Sequence, residues 1–198
     1  VEETDTVQVG KKILQGKQTQ KVLAFYKPVG VTCTERDPHA EKKIMDMIRY
    51  PERLTYAGRL DKDSEGLILL TNDGDLINAM MRGANRHEKE YIVKTDREIT
   101  PDFLQKMAKG IYLKDLDITT RECEIEQIGK FTFRIVLTQG VNRQIRRMCE
   151  ACGYRVKALK RIRIMNILLG DLKPGKWREV TGEELEQLQR DTGMLNRN

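Results

Sequence analysis

The chain has 198 residues, 39% hydrophobic and 33% charged, which suits one large domain or two small ones around a real core and excludes a disordered or collagen-like class. No run nears the roughly 18 apolar residues of a membrane span, the opening VEETDTVQVG lacks the marks of a secretory leader, and four cysteines are too few for a disulfide framework, so a cytoplasmic protein with reduced thiols and no membrane partner is expected. The net charge of +6 is uneven: residues 134–163 hold nine basic side chains against one acid, Glu150, a local field suited to a polyanion such as a nucleic acid.

Residues 1–20 read as a short strand, DTVQVGKKI with a turn at Gly10, followed by a polar connector. Val22–Tyr26 is a compact strand stopped by Lys27-Pro28-Val29-Gly30, and Gly66–Thr71 is a buried strand ended by Asn72-Asp73-Gly74. Asp75 stands where it can cap a helix carrying Leu76, Ile77, Met80 and Met81. Tyr91 begins a further strand. Thr100-Pro101 opens a helix with Phe103, Leu104 and Met107 as its apolar stripe and Gly110 as its stop. Residues 118–128 and 131–138 read as paired strands around Gly129-Lys130. Ile145, Met148, Cys149 and Cys152 recur at i, i+3, i+4 and i+7, a helix with one buried stripe that leaves Arg143, Arg146 and Arg147 off it. Thr181-Gly-Glu-Glu184 is a capping box before a terminal helix. Strands and helices without a strict βαβ rhythm predict an α+β fold, with a mixed, mainly antiparallel sheet.

The densest polar cluster is Gly58-Arg59-Leu60-Asp61-Lys62-Asp63-Ser64-Glu65-Gly66, just before the second buried strand. It could be an ordinary charged loop. Yet Asp61 lies between apolar Tyr56, Ala57 and Leu60 and the apolar strand; a buried carboxylate there needs a cationic partner, which the basic segment can supply. The acidic residues lack the spacing of a calcium loop, and Cys149 and Cys152 form a lone pair on an apolar stripe, so no metal site is expected. Tyr91 by itself reads as a core aromatic. The arginine helix is either a solvated face or a phosphate-binding one.

Taken together, Tyr26-Lys-Pro-Val-Gly30, Gly58-Arg-Leu-Asp61 continuing into SEGLILLTNDGDL, Lys89-Glu-Tyr91 and Asn142-Arg-Gln-Ile-Arg-Arg-Met148 resemble the motifs of the bacterial ribosomal-RNA pseudouridine synthases of the RsuA-like family. The wording HEKEY, NRQIRRMCE and ALKRIRIMNI is most similar to the RluF branch, which acts on large-subunit rRNA. The resemblance runs in order from about residue 21 to 190. It implies the pseudouridine synthase fold with a central catalytic cleft over residues 21–198, and it makes residues 1–20 the tail of an S4-type RNA-binding domain plus linker. It further implies that Asp61 is the catalytic aspartate, that Tyr91 stacks on the target uracil, and that Arg146 pairs with the catalytic carboxylate. The same resemblance implies that Arg59 helps hold the flipped-out nucleotide and that Ile145 lines the pocket. Arg143, Arg147, Lys160, Arg161 and Arg163 are assigned to the RNA backbone by charge alone. No cofactor or metal is implied. The expected partner is 23S rRNA, with a tRNA as second candidate, acted on by a monomer.

Two other readings compete. A non-catalytic RNA-binding module would explain the basic segment but leave the Asp61 motif without a purpose. A nucleoside-directed glycosidase would share the carboxylate but needs a second acid or an activated water, and would release free uracil.

Overall fold

VLAFY and GLILL, the two uninterrupted apolar runs, become adjacent strands because strands buried on both faces need no polar alternation. A computed structural model describes residues 19–33, 44, 47–82 and 86–194. In it β1 (Val22–Lys27) is buried along its whole length, as is β3 (Glu65–Thr71) beyond its first residue. They pair antiparallel from Val22 with Thr71 to Lys27 with Gly66. On one side Val22, Ala24, Leu67 and Leu69 meet Leu76 and Met80 of α1 (Gly74–Arg82) and Leu188 of α4 (Gly182–Asp191). On the other, Leu23, Phe25, Ile68 and Leu70 meet Ile44, Ile48 and Leu54. The short β2 (Thr55–Ala57) lies along β3 and feeds directly into the Asp61 loop.

The rest of the sheet obeys a different rule. Its members are β4 (Lys89–Thr95), β7 (Glu124–Gly129), β8 (Thr132–Leu137) and β9 (Val156–Ile164). One face carries Val93, Phe133, Ile135 and Leu159, covered by Phe103 and Met107 of α2 (Pro101–Lys109) and by Ile145, Met148 and Cys149 of α3 (Gln144–Ala151). The opposite face is solvated and laced by ion pairs: Arg134 reaches Glu90, Glu124 and Glu126, while Arg163 reaches Glu88 and Glu90. With the edge strand β11 (Trp177–Glu179), the strand order is β11-β1-β3-β9-β4-β8-β7, and β10 (Ile167–Leu168) adds to β9. β3 and β9 run parallel and the other pairs antiparallel, so the sheet is mixed and mainly antiparallel as expected.

Three local expectations change. Asp73, not Asp75, caps α1, its Oδ1 accepting the Asp75 and Leu76 N–H groups at 2.9 and 3.4 Å. The strand expected over 118–128 is broken: β5 (Tyr112–Leu113) and β6 (Ile118–Thr119) form a separate ribbon, and only Glu124–Gly129 pairs with β8. The capping box at Thr181 is not made; Glu184 instead takes a bidentate pair from Arg178 at 2.7 and 2.9 Å, a stronger attraction than a backbone amide offers. Of the tail and linker assigned to residues 1–20, residues 1–18 lie outside the described residues.

Candidate active site

The Asp61 loop is fastened by two buried cations. Lys27 ends β1 with no exposed surface, and its ammonium donates to the carbonyls of Pro28 and Val31, both at 2.7 Å, and more weakly to Lys62 at 3.4 Å. Burial pulls its pKa below the ordinary lysine value, against the attraction of Asp61, Asp63 and Glu65. Gly30, at φ +91°, donates its N–H to the Lys62 carbonyl at 2.7 Å, which ties the Lys-Pro-Val-Gly turn to the loop. From β9, Arg161 donates to the carbonyls of Leu67, Arg59 and Gly58. The Ser64 N–H closes the loop on the Asp61 carbonyl at 3.1 Å. Asp61 thus stands on a rigid turn with a side chain 38% exposed.

The start of α3 faces this carboxylate. Arg143, the N-cap residue, has φ +51° and ψ +37°, a left-handed conformation unusual for a side chain of its size. Its guanidinium spans Asp63 at 3.1 and 2.9 Å and reaches Asp61 Oδ2 at 3.4 Å. Arg146 was expected to pair with Asp61, but it donates to the Asp63 carbonyl at 3.0 Å and to Ser64 Oγ at 3.1 Å. The αL turn brings Arg143 over the loop, so the nearer cation takes the carboxylate. Hydrogen bonds from Arg143, with Arg146 adding and burial opposing, hold Asp63 below the usual carboxylate range. Arg146 is only 14% exposed, and its Nε is buried with no acceptor among the described residues.

Between loop and helix opens a cavity of about 490 Å³. Asp61, Arg59, Arg143 and Arg146 line it together with Tyr91, Ile145, Leu137 and Leu159. Tyr91, Leu137 and Leu159 share one sheet face because each lies opposite a residue of matching parity on the neighbouring strand, and Ile145 meets them from α3. The cavity therefore offers a carboxylate, a half-buried aromatic face and apolar walls under a cationic rim. Among the described residues no group of three His, Cys, Asp or Glu side chains is placed to hold a metal ion, and no helix is long and apolar enough to cross a membrane.

The backbone-binding set needs correcting. Arg161 is 2% exposed, spent on loop carbonyls beneath the cavity. Arg163 is engaged by Glu88 and Glu90 on the far sheet face, because a register shift between Arg161 and Arg163 turns it there. Arg147 donates to the Asn142 carbonyl and lies 3.8 Å from Asp115. Lys160 is half-buried on β9. The residue reading also missed Lys27 and Lys89. A lysine ending a wholly apolar strand before Pro-Val-Gly was a readable sign of a buried staple, whereas nothing local marks Lys89 as a cavity residue.

A family model described as RNA pseudouridylate synthase matches residues 21–151. The chain belongs to this RNA pseudouridine synthase family. It is 44% identical over 186 residues, 93% of its length, to the dual-specificity RNA pseudouridine synthase RluF of Escherichia coli strain K12. The chain spans 63% of that relative. It is 34% identical over 177 residues to the ribosomal large subunit pseudouridine synthase B of Vibrio cholerae, covering 85% of this chain and 54% of that one. A crystal structure of a pseudouridylate synthase superposes with a TM-score of 0.78 at 28% identity, covering 87% of this chain and 75% of the other, so the fold is that of the pseudouridine synthases.

Proposed function

We propose that this chain isomerises a uridine of 23S rRNA to pseudouridine, with Asp61 as the catalytic carboxylate. The observation that carries this reading is the cavity where Asp61, Tyr91 and the arginines of α3 meet. The names of its relatives support an RNA substrate, and that of the Vibrio enzyme supports the large-subunit rRNA. A second substrate such as a tRNA would suit the dual specificity of the RluF relative.

The reaction breaks the N1–C1′ bond, turns the uracil while it stays enclosed, and joins C5 to C1′; the C5 proton is lost and N1 gains one, with no redox change and no group donor. A carboxylate serves either by covalent attack or by taking a ribose proton during glycal formation, and Asp61 is the group for both routes. A base inside a helix is out of reach, so extrusion into the cavity is required. Tyr91 supplies the stacking face, Ile145 a wall, and Arg59 the hold on the extruded nucleotide. Arg143 offers the carboxylate a cationic partner at 3.4 Å, while Arg146 positions the loop through Asp63 and Ser64. Arg147 and Lys160 serve the RNA backbone.

The test is tritium release from transcribed large-subunit rRNA carrying 5-³H-uridine. The chain should release tritium without free uracil, and Asp61→Asn should lower the rate by roughly a thousandfold or more. Undiminished release by the variant would refute the role of Asp61, and free uracil would indicate a glycosidase.

A further inference from the structure

A second cavity, of about 380 Å³, adjoins the one that holds Asp61. Five consecutive residues, Thr55 to Arg59, form one side of it, and Ile77 and Met80 of α1 with Ile164 of β9 form the other. Gly58, Arg59 and Lys89 line both cavities, so they are the wall between them. That wall is cationic. Among the described residues no carboxylate pairs with Arg59 or Lys89; the charged group acting on the Lys89 amine is Arg161, and Lys89 itself helps to lower the pKa of His87 ahead of β4. Burial and Arg161 hold that amine down to about 8, so at neutral pH it is a cation with little solvation and no counterion. Such a group gains from an anion brought to it.

Continuity supplies the occupant. The strand that walls the second cavity runs without interruption into the Asp61 loop. A nucleotide extruded toward Asp61 therefore draws its neighbour in the RNA strand across the Gly58–Arg59–Lys89 wall. Beyond that wall lie aliphatic and thioether surfaces of Ile77, Met80 and Ile164, which favour a flat, weakly polar group such as a base. We propose that the second cavity receives the base of a nucleotide directly adjacent to the target uridine, with Arg59 and Lys89 holding the phosphate that joins the two. This rests on the isomerase reading above, which it extends to the substrate's neighbouring residue.

The experiment uses a synthetic stem-loop RNA spanning the modified uridine, intact or with an abasic site on the 5′ or the 3′ side of the target. With the intact enzyme, one of the two abasic RNAs should raise KM roughly tenfold while kcat stays within about twofold, the loss expected for one base contact. Thr55→Trp, an exposed position on the cavity rim, should raise KM on the intact RNA and add nothing on that abasic RNA. Ile77→Trp, from the opposite wall, repeats the comparison with a substitution on a different element; thermal melts identify any variant that has lost its fold. Lys89→Gln should raise KM on intact and abasic RNA alike and flatten the salt dependence. The proposal is overturned if neither abasic RNA raises KM, or if the tryptophan and abasic effects multiply. Absence of tritium release from the intact RNA with the unsubstituted enzyme is a different result and removes the isomerase reading itself.

Discussion

Lys27, Lys89 and Arg161 carry charge into poorly solvated parts of the molecule, and each settles it differently. Lys27 and Arg161 spend their donors on loop carbonyls. Among the described residues Lys89 has no such partners, and its amine is held down to about 8 from an ordinary 10.5. Between those values the folded chain binds fewer protons than the unfolded one, so its stability rises with pH across that window; below about 8 the cost of the buried charge is fully present. The unsubstituted protein should therefore gain on Lys89→Met between pH 8 and pH 10.5 in urea melts. A gap that stays constant would mean the amine is solvated. Residues tied to a motif were the legible ones: Asp61, Arg59, Tyr91, Ile145 and Arg146 all line one cavity, which Arg143, assigned by charge to the RNA backbone, also lines. The charge count failed for Arg161 and Arg163, since counting cannot see a strand's facing or the bulge that changes it.

At the level of elements, the parallel contact of β3 with β9 places the Asp61 loop over Arg161, and it depends on Gly66. This residue has φ +116°, and a Cβ there would collide with the Arg161 backbone, which is held on its other side by β4. Gly66→Ala should cost about 3 kcal/mol, the upper end of overpacking, and lower Tm by roughly 6–12 °C. A loss below about 1 kcal/mol in calorimetry would show that the strands can part without consequence. Elements defined by short-range chemistry were readable: Thr100 does cap α2 by accepting the Phe103 N–H at 3.1 Å, and the stripe of α3 is buried as its spacing requires. Glu184 misled because its better partner, Arg178, lay on another element, and the 118–128 run hid a break because its polar residues suit either strand or turn.

For the molecule as a whole, charge is distributed by what is already paired. Of the nine basic residues in 134–163, Arg134 and Arg163 are bound to glutamates, Arg161 to carbonyls, and Arg143 and Arg146 to Asp63. The candidates left to meet phosphates are Arg147, whose approach to the exposed Asp115 is a loose 3.8 Å, with Arg155, Lys157 and Lys160, together with Arg59 and Lys89 beside the cavities. Single-stranded RNA binding should then fall with salt along a log–log slope of roughly −4, where full engagement of the whole segment with Arg59 and Lys89 would give about −8. A filter-binding titration over moderate salt distinguishes them, and the steeper slope would mean that the internal pairs open on binding.

The staple from Arg161 to the Gly58 and Leu67 carbonyls joins positions 103 and 94 residues apart in sequence. Neither half of the polypeptide, if divided at the exposed Gly129–Lys130 hairpin tip, would hold both the carboxylate loop and the side chain that fastens it. The candidate site is thus a product of long-range closure, and recovered turnover from two separately made fragments would report their reassembly.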